Sequence, residues 1–231
     1  MFTAVCFDYF NTCTSAVRRG DGHRRTAEVL GADPDEWVDL LDRTFDERAH
    51  GGLGNGAVSG LRALCARIGL TPTDAQLHTA IELRLAALQE DAPLRAETVP
   101  VLRALRAAGI KVAIVSDCWY ELPGFLPTSA LAGLFDAAVY SAEVGAAKPH
   151  PAMYRTACEL LGARPAGCLY VGDGGGRELT GAQAFGMTAV QLAAPDLGDH
   201  LTFHAEPDWR GGRIETLHSV LEIVGAPMLV A

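Results

Sequence analysis

A chain of 231 residues with 49% hydrophobic side chains can bury one sizeable core, or a core plus a smaller insertion. Its formal net charge of −9 repels phosphate backbones and anionic lipid, which argues against nucleic-acid and membrane partners. No apolar run approaches the ~20 residues of a membrane span, and the opening MFTAVCFDYF lacks the basic-then-apolar pattern of an export signal. Six cysteines (Cys6, Cys13, Cys65, Cys118, Cys158, Cys168) form no CxxC pair or zinc-type cluster, and most lie in apolar runs as small hydrophobes. A cytoplasmic protein with free thiols is the expectation. The two lysines, Lys111 and Lys148, are few enough that each is a candidate for a specific task.

Thr3 to Phe7 is short, apolar and β-rich, and predicts a buried parallel strand ending at Asp8. Residues 17–92 then hold helical patterns and no convincing strand. Asp33-Pro34-Asp35 predicts a helix start, with the helix running through Trp37, Leu40, Leu41 and Phe45. The glycine-rich run from Gly51 to Gly56 predicts a loop. A second helix carries Val58, Leu61, Leu64, Cys65 and Ile68. Thr71-Pro72-Thr73-Asp74 starts a third, through Leu77, Ile81, Leu85 and Leu88. This stretch reads as a small all-helical domain inserted after the first strand.

From Pro93 the pattern alternates. A helix from Val99 to Ala108 stops at Gly109. Strand Lys111–Val115 ends at Ser116, and Ala137–Tyr140 is a third strand. After a helix from His150 to Leu161, strand Cys168–Val171 ends in Gly172-Asp173; a helix from Leu179 to Phe185 leads to strand Thr188–Leu192. Strands alternating with helices predict a parallel sheet, whose chemistry gathers at the carboxyl ends of its strands. The stretch after Pro195 shows no regular pattern.

Asp8, Ser116 and Asp173 fall at predicted strand ends, and Lys148 offers a fixed positive charge. Two carboxylates brought together repel unless a cation lies between them. A hard cation such as Mg²⁺ suits carboxylates, water and phosphate oxygens. Asp8 could then attack in line and form an acyl-phosphate, with Lys148 and Ser116 holding the anionic oxygens.

Four stretches, in order, resemble the signatures of the haloacid dehalogenase-like (HAD) superfamily. They are Phe7-Asp8-Tyr9-Phe10-Asn11-Thr12, Ile114-Val115-Ser116-Asp117, Glu143-Val144-Gly145-Ala146-Ala147-Lys148-Pro149-His150-Pro151, and Val171-Gly172-Asp173-Gly174-Gly175-Gly176-Arg177-Glu178. Thr180-Gly181-Ala182 through Phe185-Gly186-Met187 extends the last. The resemblance covers about 1–16 and 93–195, and the insertion lies where this family carries a helical cap. It implies an α/β fold, a Rossmann-like parallel sheet core (1–16 and 93–231) with a small all-helical cap (17–92). It also implies a hydrolase acting on a small, phosphorylated molecule with Mg²⁺ as cofactor.

Carried over residue by residue, Asp8 becomes nucleophile and metal ligand, the Phe10 carbonyl a second ligand and Asp173 a third, with Glu178 helping directly or through water. Thr12 and Ser116 position the phosphoryl group, and Lys148 bridges Asp8 and substrate oxygens. Phosphatases of this family usually have Asp, as general acid, where this chain has Phe10. Phenylalanine transfers no proton, and general acid catalysis is worth ~10²–10⁴-fold. Asp117, His50 and His150 are the candidate substitutes. Arg43 and Arg48 are candidates for a substrate carboxylate or phosphate. A 2-haloacid dehalogenase of the same fold is the first alternative, since those enzymes carry Tyr at the Phe10 position. A weakly active ligand-binding scaffold is the second. Phosphonate cleavage through a cap lysine is disfavoured, because 17–92 contains no lysine.

Overall fold

The apolar run near the start of the chain forms strand β1 (Ala4–Phe7), buried at all four positions. This is a computed structural model describing residues 1–54, 56–198 and 200–228. Helices α1 (Gly22–Leu30), α2 (Pro34–Arg43), α3 (Phe45–Ala49), α4 (Ala57–Ala66) and α5 (Asp74–Asp91) follow β1, then α6 (Thr98–Ala107) and β2 (Lys111–Ser116). Next come α7 (Glu121–Phe125), β3 (Ala137–Tyr140), α8 (Ser141–Val144), α9 (Pro151–Leu161), β4 (Cys168–Gly172) and α10 (Glu178–Phe185). The chain closes with β5 (Thr188–Leu192), β6 (Gly212–Ile214) and α11 (His218–Val224).

The six strands make one sheet in the order β3-β2-β1-β4-β5-β6, and every adjacent pair is parallel. This is the Rossmann-like arrangement expected of the alternating pattern. Phe7 pairs in register with Ile114 on β2 and Val171 on β4, so the ends of these three strands lie side by side. One apolar cluster fills each face of the sheet, around Phe7, Leu105, Ile114 and Val171 on one side and Cys6, Val115, Tyr154 and Tyr170 on the other. All six cysteines are buried and free, as small hydrophobes would be.

Among the described residues, 17–92 holds five helices and no strand. The helix predicted through Phe45 is broken at Thr44, whose backbone (φ −106°, ψ 9°) and hydroxyl bond to the Leu40 carbonyl divide it into α2 and α3. Asp33 caps α2, accepting from the N–H groups of Asp35 and Glu36, and a Thr73–Gln76 capping box opens α5. Trp37, Leu40, Leu61, Leu64 and Leu77 share a cluster with Trp119 of the core. The two chain segments joining this insertion to the core run antiparallel, through a Thr14–Leu94 bridge and a Ser15 N–H bond to the Pro93 carbonyl at 2.8 Å.

Candidate active site

The backbone turns sharply after β1. Asn11 takes a left-handed conformation (φ 63°), which asparagine tolerates better than most residues, and its N–H donates to Thr14 Oγ1 at 2.9 Å. Arg95 holds the turn from α6's leading edge. Its Nε donates to the Thr12 carbonyl (3.1 Å), its Nη2 to the Asn11 carbonyl (2.9 Å), and its Nη1 pairs with Asp196 (2.7 Å). The turn therefore presents Asp8 at the carboxyl end of the sheet.

Lys148 arrives from the segment after α8. Its backbone N–H donates to Asp117 Oδ1 at 3.0 Å, tying it to the end of β2. Its Nζ donates to Asp8 Oδ1 and to Glu178 Oε2, both at 2.6 Å. The Asp8 contact is the one expected of Lys148, and Glu178 is a second carboxylate partner that was not expected. Glu178 is completely buried. It accepts from Tyr170 OH (2.8 Å) and from the Gly174 N–H (3.0 Å) as well. Glu206, beyond β5, accepts from the N–H groups of Leu179 and Thr180 and so caps the start of α10.

Asp8, Asp173 and Glu178 each offer an oxygen within 4.8 Å of the others, a buried donor set that could hold a metal ion. Burial pushes the Asp8 carboxyl up to about 6, with the Asp173 charge adding to this and Lys148 opposing it. Burial raises Glu178 well above the usual carboxylate range, again against Lys148. Burial would lower Lys148, but Asp8 and Glu178 hold it well above an ordinary lysine. Three buried acids facing one ammonium would carry an excess of negative charge once ionised, which is why Asp8 and Glu178 titrate upward and why the group suits a divalent cation. Thr12 Oγ1 and Ser116 Oγ are buried beside these groups in the chain and make no hydrogen bond. An orphaned buried hydroxyl costs about 1–3 kcal/mol, which an incoming oxygen would recover.

A cavity opens over this centre, lined by Asp8, Phe10, Asp117, Lys148 and Asp173 from the core and by Phe45, Arg48 and Arg84 from the inserted helices. The Phe10 ring meets Tyr9 edge-on, centroids 4.9 Å apart. Gly176 (φ 61°) lies so close that a Cβ there would sit 2.8 Å from Asp117 Oδ2, so the glycine run serves close packing.

Of the remaining expected site residues, Arg48 and Asp117 line the cavity; Arg43, His50 and His150 do not. Arg43 and His50 are corrected to exposed positions on α3's approaches. Arg43 ends α2 on the face away from buried Trp37, Leu40 and Leu41, and His50 Nδ1 lies 2.6 Å from the Asp46 carbonyl. His150 is the exposed N-cap of α9, accepting from the Ala152 N–H. Lys111 is far from the site and donates to the Leu161 carbonyl.

Sequence reasoning missed Asn11 and His200. Asn11 Nδ2 donates to Asp173 Oδ2 at 3.3 Å and to the Leu201 carbonyl. His200 Nε2 lies 3.0 Å from the same Asp173 oxygen while its Nδ1 faces the Leu197 carbonyl. Acceptors face both ring nitrogens, and the Asp173 contact raises the His200 pKa above its ordinary value. The asparagine inside the DxxxT stretch was the available signal; for His200 there was none, since it lies in the patternless segment.

The family model for haloacid dehalogenase-like hydrolases matches residues 2–186. Glyceraldehyde 3-phosphate phosphatase of Methanopyrus kandleri is 31% identical over 97 residues, 42% of this chain and 42% of that protein. (S)-2-haloacid dehalogenase 1 of Pseudomonas sp. is 31% identical over 116 residues, 50% of this chain and 51% of that protein. The matched stretches thus span only about half, or less, of these curated relatives. A solved structure of 2-haloacid dehalogenase from Pseudomonas syringae superposes with a TM-score of 0.70 at 22% identity, covering 97% of this chain and 99% of that one, and shares its fold. With a family match running across most of its length and four motifs converging on one centre, the chain belongs to the haloacid dehalogenase-like hydrolases.

Proposed function

We propose that this hydrolase is a Mg²⁺-dependent phosphatase of small phosphorylated metabolites, working through an aspartyl-phosphate on Asp8, with helices α1–α5 as its cap. One observation carries the reading: three buried carboxylates converge against the single ammonium of Lys148. A haloacid would bring a fourth negative charge to that centre, whereas a divalent cation balances it. Asp8, Asp173 and Glu178 would hold the ion, with the Phe10 carbonyl as a further ligand. Bound Mg²⁺ supplies neutralisation of the charge on the phosphoryl oxygens.

Lys148 engages Asp8 Oδ1, leaving Oδ2 for attack. The new Oδ2–P bond forms as the ester P–O bond breaks, and the departing alkoxide takes a proton. Thr12 and Ser116 donate to phosphoryl oxygens. Water then attacks phosphorus, returns a proton to the same acid, and releases inorganic phosphate from Asp8. For that acid, Asp117 replaces the missing group at Phe10. It lines the cavity, and burial raises its carboxyl pKa despite Lys148. An acid must be protonated to act, so the raised pKa extends activity upward in pH, and kcat falls as pH rises through it. Asp117→Asn removes that limb and slows alkyl phosphate hydrolysis by about 10²–10⁴-fold. In the first, phosphoryl-transfer step it spares p-nitrophenyl phosphate, whose leaving group needs no proton, as a pre-steady-state burst of p-nitrophenolate reads. Equal losses on both substrates in that step would remove Asp117 as the acid.

The deciding assay measures phosphate release from p-nitrophenyl phosphate and chloride release from L-2-chloropropionate, each with Mg²⁺ and with EDTA. Phosphate release that requires Mg²⁺ is the expected result. Chloride release unaffected by EDTA, without phosphate release, would establish the dehalogenase reading instead.

A further inference from the structure

We infer that Arg48 is a specificity-determining residue that seats a substrate carboxylate, so that the preferred substrate is a phosphorylated carboxylic acid. The inference rests on the phosphatase reading and names its substrate class.

Among the described residues, Arg48, Arg84 and Arg95 are the buried arginines, at 7%, 3% and 8% exposure. Arg84 pairs with Glu121 and Arg95 with Asp196, but Arg48 has no carboxylate partner. Its Nη2 donates to the Leu41 carbonyl (2.6 Å) and its Nε to Thr44 Oγ1 (3.3 Å). The guanidinium lies 5.4 Å from the centroid of the Trp119 ring. Carbonyls and a ring face disperse a charge without neutralising it. Burial, and then the nearby Arg84, lower the Arg48 pKa to about 10, so it still carries its proton at neutral pH. An uncompensated buried cation is costly unless an anion arrives.

A second observation points to the same place. Arg84 lines the same cavity as Arg48 and Asp8, and its Nη1 is buried with no hydrogen-bond partner. Arg48, Arg84 and Glu121 together carry one net positive charge, which a single carboxylate balances and a phosphate dianion overshoots. The other acids of this wall are engaged elsewhere: Asp42 pairs with Arg19, and Asp91 contacts the Gly20 N–H and His23. Leu41, Phe45 and Trp119 line the same cavity as Arg48, and apolar walls strengthen a charge-assisted hydrogen bond. The phosphoryl group then occupies the acidic centre, and the carboxylate the basic wall.

The test compares kcat/KM, with Mg²⁺, within two matched pairs: 2-phosphoglycolate against ethyl phosphate, and 3-phosphoglycerate against glycerol 3-phosphate. The wild type is expected to favour the carboxylate member by about 10- to 100-fold. Arg48→Met brings the ratio near one. Arg48→Lys, which keeps charge but loses the fork, gives an intermediate ratio and serves if the methionine variant does not fold. A wild-type ratio near one, or an unchanged ratio in the variants, overturns the subsite and leaves the phosphatase reading standing. If none of the four esters is hydrolysed, the phosphatase reading falls, and calorimetry decides the subsite. Tighter binding of 2-phosphoglycolate than ethyl phosphate, lost in Arg48→Met, supports it; equal binding overturns it.

Discussion

Asp8→Asn lowers kcat on any phosphate ester by at least about 10³-fold, because an amide nitrogen or oxygen cannot form the acyl-phosphate. The substitution also removes one oxygen donor from the Asp8–Asp173–Glu178 group. Mg²⁺ affinity falls with it, which calorimetry reads independently of turnover. The fold persists: Lys148 keeps Glu178 as a partner, and one fewer buried carboxylate relieves repulsion at the centre. A urea titration checks this. Turnover by the variant equal to that of the wild type would end the assignment of Asp8 as nucleophile.

Lys148→Met has the largest expected effect on stability. Its ammonium contacts both Asp8 and Glu178, and all three side chains are buried. Removing one partner of a buried ion pair typically costs about 3–5 kcal/mol, because the other charge is left uncompensated. Here two carboxylates are orphaned at once. Mg²⁺ then stabilises the variant, by about 2.7 kcal/mol at a hundred times its dissociation constant. Urea titrations with Mg²⁺ and with EDTA measure both quantities. A metal-free loss below about 1 kcal/mol would show that Lys148 is not the counter-charge of this cluster.

The acidic centre was legible because it is built at strand ends. Runs such as TAVCF and CLYV are dense in β-formers, so the positions of Asp8 and Asp173 followed from where each run stops. Lys148 was legible only through its motif, since it lies on a loop. The inserted helices were legible where caps were strong, as at Asp33 and Thr73, and not at α1. There Gly22-His23-Arg24-Arg25 opens the helix without a side-chain cap, and few apolar residues mark its face. Strand β6 has three residues, too short for any alternation to register. His200, Glu206 and Arg84 escaped for a different reason. Each acts through contacts to residues far away in the chain: Asp173, the start of α10, and Glu121. Local pattern carries no information on such contacts. Arg43 and Arg48 looked equivalent in the sequence, and they fall on different helices either side of the break at Thr44.

The antiparallel bridge at Thr14 and Leu94 makes a narrow stem on which the whole helical insertion is grafted. Because departing and returning chains are clasped together there, lengthening what lies beyond adds little closure entropy, while the Val17 N–H bond to Asn11 Oδ1 at 2.8 Å keeps the start of the insertion tied to the nucleophile turn. Arg95, just past that clasp, grips the turn on the side of the sheet. If the helices set substrate range, as proposed above, a chimera exchanging 17–92 for another relative's helices changes selectivity only where the contacts of Glu121 and Trp119 to those helices are rebuilt with it.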